Sequence, residues 1–225
     1  MVERGYDNYD RTKIFRHKDT RDKRCVAKDR ISRSILESLD LSNPKDFKAI
    51  LMPCYWGPEL VFLRERGVPA ENIFIVERNK KIWSTIRSHP SWGPHLHNVK
   101  TSYIPLSAAQ AIDFAYAELG RCDFVYLDFF GPPDDSHWMM FLKIFKLRIL
   151  RSTGKLLVTF GKTRCRNYVY EVNKKLSNSK VPTLAMIRAA IKMTGHTEAK
   201  IEDHKYISSE GAGRRYFIST EVTIP

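Results

Sequence analysis

Residues 122–133 read Cys122-Asp123-Phe124-Val125-Tyr126-Leu127-Asp128-Phe129-Phe130-Gly131-Pro132-Pro133. The run from Phe124 to Leu127 is continuously apolar, the pattern of a strand buried on both faces. It ends in a carboxylate, Asp128, followed by two aromatics and a Gly-Pro-Pro break. In open α/β sheets, ligands bind outside the carboxyl ends of the strands. An acid at such an end is a candidate for binding or chemistry, and the rest of the chain reads as the scaffold that carries it.

Upstream, Phe47 to Met52 predicts a first core strand. It runs into the loop Pro53-Cys54-Tyr55-Trp56-Gly57-Pro58-Glu59, then a helix through Leu60, Phe62 and Leu63 to about Arg66. Ile73 to Val76 predicts a second buried strand, ending at Glu77, with a helix from near Asn79 that carries Ile82, Trp83 and Ile86. Ser88 to Asn98 reads as a loop. Val99 to Ile104 predicts a third strand and Ser107 to Leu119 a helix.

Asp123 to Asp128 is the fourth strand. Ser136 to Leu150 predicts a helix with Thr153-Gly154 as its exit, and Leu156 to Phe160 a fifth strand running into Gly161-Lys162-Thr163-Arg164. A further helix is expected over Thr183 to Met193, between Pro182 and Gly195. Two alternating runs, Thr197–Ser208 and Arg214–Ile224, joined by Ser209–Gly213, predict a hairpin. Strands alternating with helices imply a parallel sheet wound on both faces. The expected fold is α/β and doubly wound, a mostly parallel seven-stranded sheet with a C-terminal antiparallel hairpin.

Residues 1–22 are dense in charge of both signs and read as a charged N-terminal arm. Lys23 to Leu39 predicts an amphipathic helix, and 23–225 a single domain. The 225 residues suffice for one α/β domain. The net charge of +13 favours a polyanionic partner, DNA or RNA first, although solubility explains part of such an excess.

No apolar run reaches the roughly 20 residues of a membrane span, and the opening residues do not read as a signal peptide. Cys25, Cys54, Cys122 and Cys165 form no CxxC pair, so reduced thiols in a cytoplasmic setting are expected. His89, His95 and His97 lack the spacing of a metal site. Gly161-Lys162-Thr163 copies the end of a phosphate-binding loop without its upstream glycine, so nucleotide hydrolysis is not expected.

Five β-α units, an acid after the second strand, an acid-aromatic loop after the fourth and a terminal hairpin together resemble the class I S-adenosylmethionine-dependent methyltransferases, whose sheet is Rossmann-like. The resemblance covers about residues 46–224. Asp128-Phe-Phe-Gly-Pro-Pro133 is similar to the motif IV loop of members that methylate amino groups in nucleic acids. It also looks like the Asp-Pro-Phe-Gly loop of the tRNA guanine dimethyltransferases.

The resemblance implies S-adenosylmethionine as cofactor. It would lie against Pro53, Cys54, Tyr55, Gly57 and Glu59, with one glycine where the family has two or three. Glu77, with Arg78 beside it, falls where the family places an acid on the ribose hydroxyls. Ser102 or a backbone group would meet the adenine, and Asp128 would lie beside the methyl donor. Asp128 would hold a target amine and accept its proton, or orient it. Phe129 or Phe130 would stack on an extruded base.

Lys162, Arg164 and Arg166, leaving the same sheet edge, are expected to meet phosphates, with Lys23, Arg24 and Lys28 extending the track. The expected function is methyl transfer to a nitrogen of a nucleic-acid base. Three alternatives remain: a fold that has lost the cofactor and binds nucleic acid through its basic surface, and a methyltransferase of a small molecule or of a protein. Small size and high charge also suit a virus- or plasmid-encoded enzyme. On the structural side, Asp128 could cap a helix with core phenylalanines behind it.

Overall fold

Two four-residue apolar runs make neighbouring interior strands of the sheet: β1 (Ala49–Met52) and β2 (Ile73–Val76), buried along nearly their whole length. The computed structural model describes residues 33–52, 58–77, 83–84, 87–88, 93–102, 108–129, 135–161, 182–196, 198–208 and 215–225. The remaining strands are β3 (Lys100–Ser102), β4 (Cys122–Asp128), β5 (Leu150–Gly161), β6 (Lys200–Ser208) and β7 (Arg215–Thr223).

They form one seven-stranded sheet in the order β3-β2-β1-β4-β5-β7-β6. β1 to β5 run parallel, and β7 pairs antiparallel with both β5 and β6. The doubly wound sheet with a terminal hairpin is therefore as the sequence predicts. The chain builds outward from β1 through β2 and β3, then returns to lay β4 on the other side of β1. That reversal makes a topological switch point between β1 and β4, where α/β sheets open a crevice.

Among the described residues four helices cover the two faces: α1 (Pro58–Glu65), α2 (Ala108–Leu119), α3 (Asp135–Lys146) and α4 (Pro182–Thr194). Successive strand residues point to opposite faces. In β4, Val125 and Leu127 join a core with Ile112 and Ala115 of α2, Phe141 and Ile144 of α3, and Ile187 and Ile191 of α4. Phe124 and Tyr126 join the other core, with Leu60 and Leu63 of α1 and with Ile35 and Leu36 of a helical turn at 33–37. Among the described residues no helix is long and apolar enough to cross a membrane.

The boundary that differs most from expectation lies between the helix after β4 and the fifth strand. The helix predicted to Leu150 stops at Lys146, and the fifth strand starts at Leu150 instead of Leu156. Arg148 takes a left-handed φ of 49°, and the Ile149 amide donates to the Ile144 carbonyl, which closes the helix. Thr153-Gly154 is an excursion inside β5: Cys122 pairs with Leu150 but Phe124 with Lys155. A Cβ on Gly154 would stand 2.8 Å from the Arg151 carbonyl oxygen, so the excursion needs glycine there.

Across β5 and β7, Lys155 Nζ donates to Glu221 Oε1 at 2.9 Å and to Ser38 Oγ at 2.7 Å. The two charged side chains are only 17% and 11% exposed. Removing one partner of a buried pair costs several kcal/mol, and partial exposure reduces this to about 2 kcal/mol. Glu221→Ala is expected to lower the urea-unfolding free energy by about that amount, and a Lys155→Met/Glu221→Leu double variant to recover most of it.

Cys122, buried at the start of β4, is a free thiol. Burial, then the charge of Asp123, pushes its pKa from 9.0 up to about 12. The unfolded chain loses this proton above pH 9 while the native chain keeps it to about pH 12. The stabilisation is thus whole below pH 9 and falls by about 1.4 kcal/mol per pH unit above it. Alkaline urea titrations are expected to show a steeper fall for the wild type than for Cys122→Ala.

Candidate functional site

The strand registers bring the carboxyl ends of β1 to β5 to one edge. Leu51 pairs with Ile75, Met52 with Leu127, Val76 with Ser102, and Asp128 with Thr159. Glu77 follows β2 directly and Asp128 closes β4, so the two acids stand at the same level on the strands that flank β1. Two strand spacings separate them, about 9–10 Å between backbones. Alternation turns Asp128 and Thr159 to the α1 side, the side of Tyr126 and Leu157.

Burial is unusual here. Among the described residues the buried polar side chains are Glu59, Glu77, Thr159 and Glu221. Glu221 has Lys155, and the other three stand at the carboxyl edge. Glu59 is 2% exposed in the first turn of α1, where the helix dipole favours an acid. Glu77 is 8% exposed. Buried acids gathered at the edge where open α/β sheets bind ligands make this the candidate ligand site.

Ser102 ends β3 next to Val76. Phe129 is half-buried, and its amide donates to the Thr159 carbonyl at 2.8 Å, carrying the β4–β5 ladder one residue past Asp128. Its ring packs on the α2–α3 core, on the face opposite Asp128, and meets the His137 imidazole edge to face at 4.2 Å between centroids. In sequence His137 is marked only by its place at the start of the helix predicted from Ser136. It lies eight positions after Phe129 and no periodicity links them, so nothing in the sequence signals the contact.

Pro53, Cys54, Tyr55, Gly57, Arg78 and Phe130 lie outside the described residues, as do Lys23, Arg24, Lys28, Lys162, Arg164 and Arg166. β5 nevertheless ends at Gly161 on the same edge as Asp128. Among the described residues no three His, Cys, Asp or Glu side chains gather as a metal site requires.

A cavity of about 340 Å³ lies at the opposite edge, lined in part by Arg121, Arg148, Ser152 and His196. The C-terminal ends of α2, α3 and α4 lie at that edge. Arg121 donates to the carbonyls of Arg148 and Leu150, Lys48 to Leu119, Lys100 to Glu118 and His196 Nε2 to Phe145. These side chains serve carbonyls at or just past the helix ends, so the cavity is explained by helix termination.

No protein-family model and no curated protein matches the sequence. Solved structures do. Magnesium protoporphyrin IX methyltransferase from Synechocystis, solved with bound S-adenosylhomocysteine, superposes with a TM-score of 0.56 at 13% identity, over 95% of this chain and 91% of that one. A candidate rRNA methylase from Clostridium thermocellum gives 0.54 at 12% identity, over 88% and 96%. An S-adenosylmethionine-dependent methyltransferase from Anabaena variabilis gives 0.51 at 12% identity, over 88% and 86%. Likeness at such identity is likeness of fold. The chain has the Rossmann-like fold of the class I S-adenosylmethionine-dependent methyltransferases.

Proposed function

We propose that the protein transfers a methyl group from S-adenosylmethionine to a nitrogen of a nucleic-acid base, in DNA or RNA. The reading rests on two acids, Glu77 and Asp128, at one level of the carboxyl edge on either side of β1. The residues present fit the cofactor. A buried carboxylate such as Glu77 matches two neighbouring ribose hydroxyls, accepting from both. The cofactor carries no phosphate, so the loop after β1 needs no phosphate cradle. When bound, S-adenosylmethionine supplies an activated methyl group.

Each protein group then has a positional task. Glu77 holds the ribose, and the end of β3 at Ser102 meets the adenine. Asp128 accepts a hydrogen bond from the acceptor amine and aims its lone pair at the methyl carbon. With the donor bound, the new nitrogen–carbon bond would form as the sulfonium sulfur–carbon bond breaks, S-adenosylhomocysteine would leave with that electron pair, and the amine would lose its proton to Asp128 or to water. The Phe129 ring is engaged by the core and by His137, so stacking on an extruded base falls to Phe130.

Charge selects the acceptor. Proteins of this fold act on unlike substrates, magnesium protoporphyrin IX in one of those compared. A net charge of +13 favours a polyanion. Incubation with methyl-labelled S-adenosylmethionine and bulk RNA or DNA is expected to put label into nuclease-sensitive material. Label confined to protein or to small molecules would overturn the choice of acceptor. Binding is also expected to weaken about tenfold or more between 50 and 200 mM salt, each phosphate contact adding about −0.7 to −0.9 to the logarithmic slope. A flat salt dependence would remove phosphate contacts from the account.

A further inference from the structure

We infer that His137 is a positioning residue for the methyl acceptor, acting through Phe129. The inference rests on the methyl-transfer reading above and extends it to a residue which that reading does not use. The Phe129 and His137 rings meet at an interplanar angle of 80°, with centroids 4.2 Å apart. An edge-to-face pair of this kind is directional, because the positive edge of one ring faces the negative face of the other.

Both partners are anchored. His137 sits in the first turns of α3, whose Met140, Phe141, Ile144 and Phe145 are buried in the core. Phe129 is held at its backbone by the Thr159 carbonyl. Its ring packs on the same core, as do Met52 and Trp138. Asp128 lies between the β4 ladder and this clamped residue. The direction of its carboxylate therefore depends on a backbone fixed to β5 on one side and to α3, through the ring pair, on the other. Mere packing would be met by an aliphatic side chain. Here a half-buried imidazole occupies the place, at the edge where ligands of such sheets bind.

Loosening the clamp misdirects the acceptor without touching the donor. His137→Ala is expected to lower kcat about tenfold, equivalent to about 1.4 kcal/mol. The KM for nucleic acid and the affinity for S-adenosylhomocysteine should stay within about twofold. His137→Phe keeps an edge-to-face partner and should restore kcat to within about twofold of wild type. In a double-mutant cycle, Phe129→Leu should remove the effect of His137→Ala, because the two act as one unit. Proton NMR of the His137 ring should show a ring-current shift in the wild type that Phe129→Leu abolishes.

Wild-type kcat in His137→Ala, additive losses in the cycle, or no ring-current shift would each overturn the inference and leave the proposed function standing. Failure of the wild type to methylate any nucleic acid would overturn both. The thermal midpoint of each variant separates misdirection from unfolding: a loss of kcat that follows the midpoint, and that His137→Phe does not rescue, would also overturn the positioning role.

Discussion

Asp128→Ala is expected to lower kcat for methyl transfer by at least about 10²-fold, while S-adenosylhomocysteine still binds within about threefold of wild type. Displacement at a methyl group needs little acid–base assistance. Most of the catalysis available is orientation, whose ceiling is about 7–11 kcal/mol. Asp128 is well situated to supply it: it ends β4 next to the end of β1 and points to the α1 side. The substitution should leave the fold intact, because the β4–β5 ladder continues through the Phe129 amide.

Asp128→Asn separates two roles. If the carboxylate only orients the amine, asparagine keeps an acceptor oxygen and kcat falls about tenfold or less. If it takes the proton, asparagine fails as badly as alanine. Full activity in Asp128→Ala would remove the residue from the mechanism.

Glu77→Ala should act on the donor instead. Two hydrogen bonds from ribose hydroxyls to one carboxylate are charge-assisted, each contributing about 1.5–3 kcal/mol. Losing both, with water replacing part of the interaction, raises the cofactor Kd about 100-fold. Glu77→Gln keeps one acceptor oxygen and should raise it about tenfold. With saturating cofactor, kcat should stay close to wild type in both. Opposite signatures at Glu77 and Asp128 are the expected mark of a donor site and an acceptor site on either side of β1. An unchanged Kd in Glu77→Ala would make Glu77 a structural acid only.

Most of this architecture was legible in the sequence because buried parallel strands leave short uninterrupted apolar runs. Ile73–Val76 matches β2 residue for residue, and Glu77 and Asp128 could be seen as the acids that end two such runs. The start of β5 was not legible. Ile149 and Leu150 are buried apolar residues that suit a helix end as well as a strand start, and Thr153-Gly154 reads as an exit wherever it occurs. Only the left-handed Arg148 and the pairing of Cys122 with Leu150 separate the two, and both depend on tertiary contacts.

The site was legible in part for a related reason. Strand ends are marked by local pattern, so Glu77, Ser102 and Asp128 could be placed at the carboxyl edge. The burial of Glu59 also follows local pattern, an acid in the first turn of a helix whose next residue, Leu60, is fully buried. The contact of His137 with Phe129 depends instead on how α3 docks against the sheet. A sequence reading sees only that α3 is amphipathic. Asp128 and Phe129 also divide between the two faces, so the neighbouring acid and aromatic serve different sides of the sheet.

The account stands or falls on a donor held at the carboxyl ends of β1, β2 and β4. Isothermal titration calorimetry of the wild-type protein with S-adenosylhomocysteine tests it most directly. The expected result is a one-to-one complex with a micromolar Kd, weakened about 100-fold by Glu77→Ala and little changed by Asp128→Ala. Absence of binding at millimolar ligand would contradict the account and leave a methyltransferase fold that serves as a nucleic-acid-binding module.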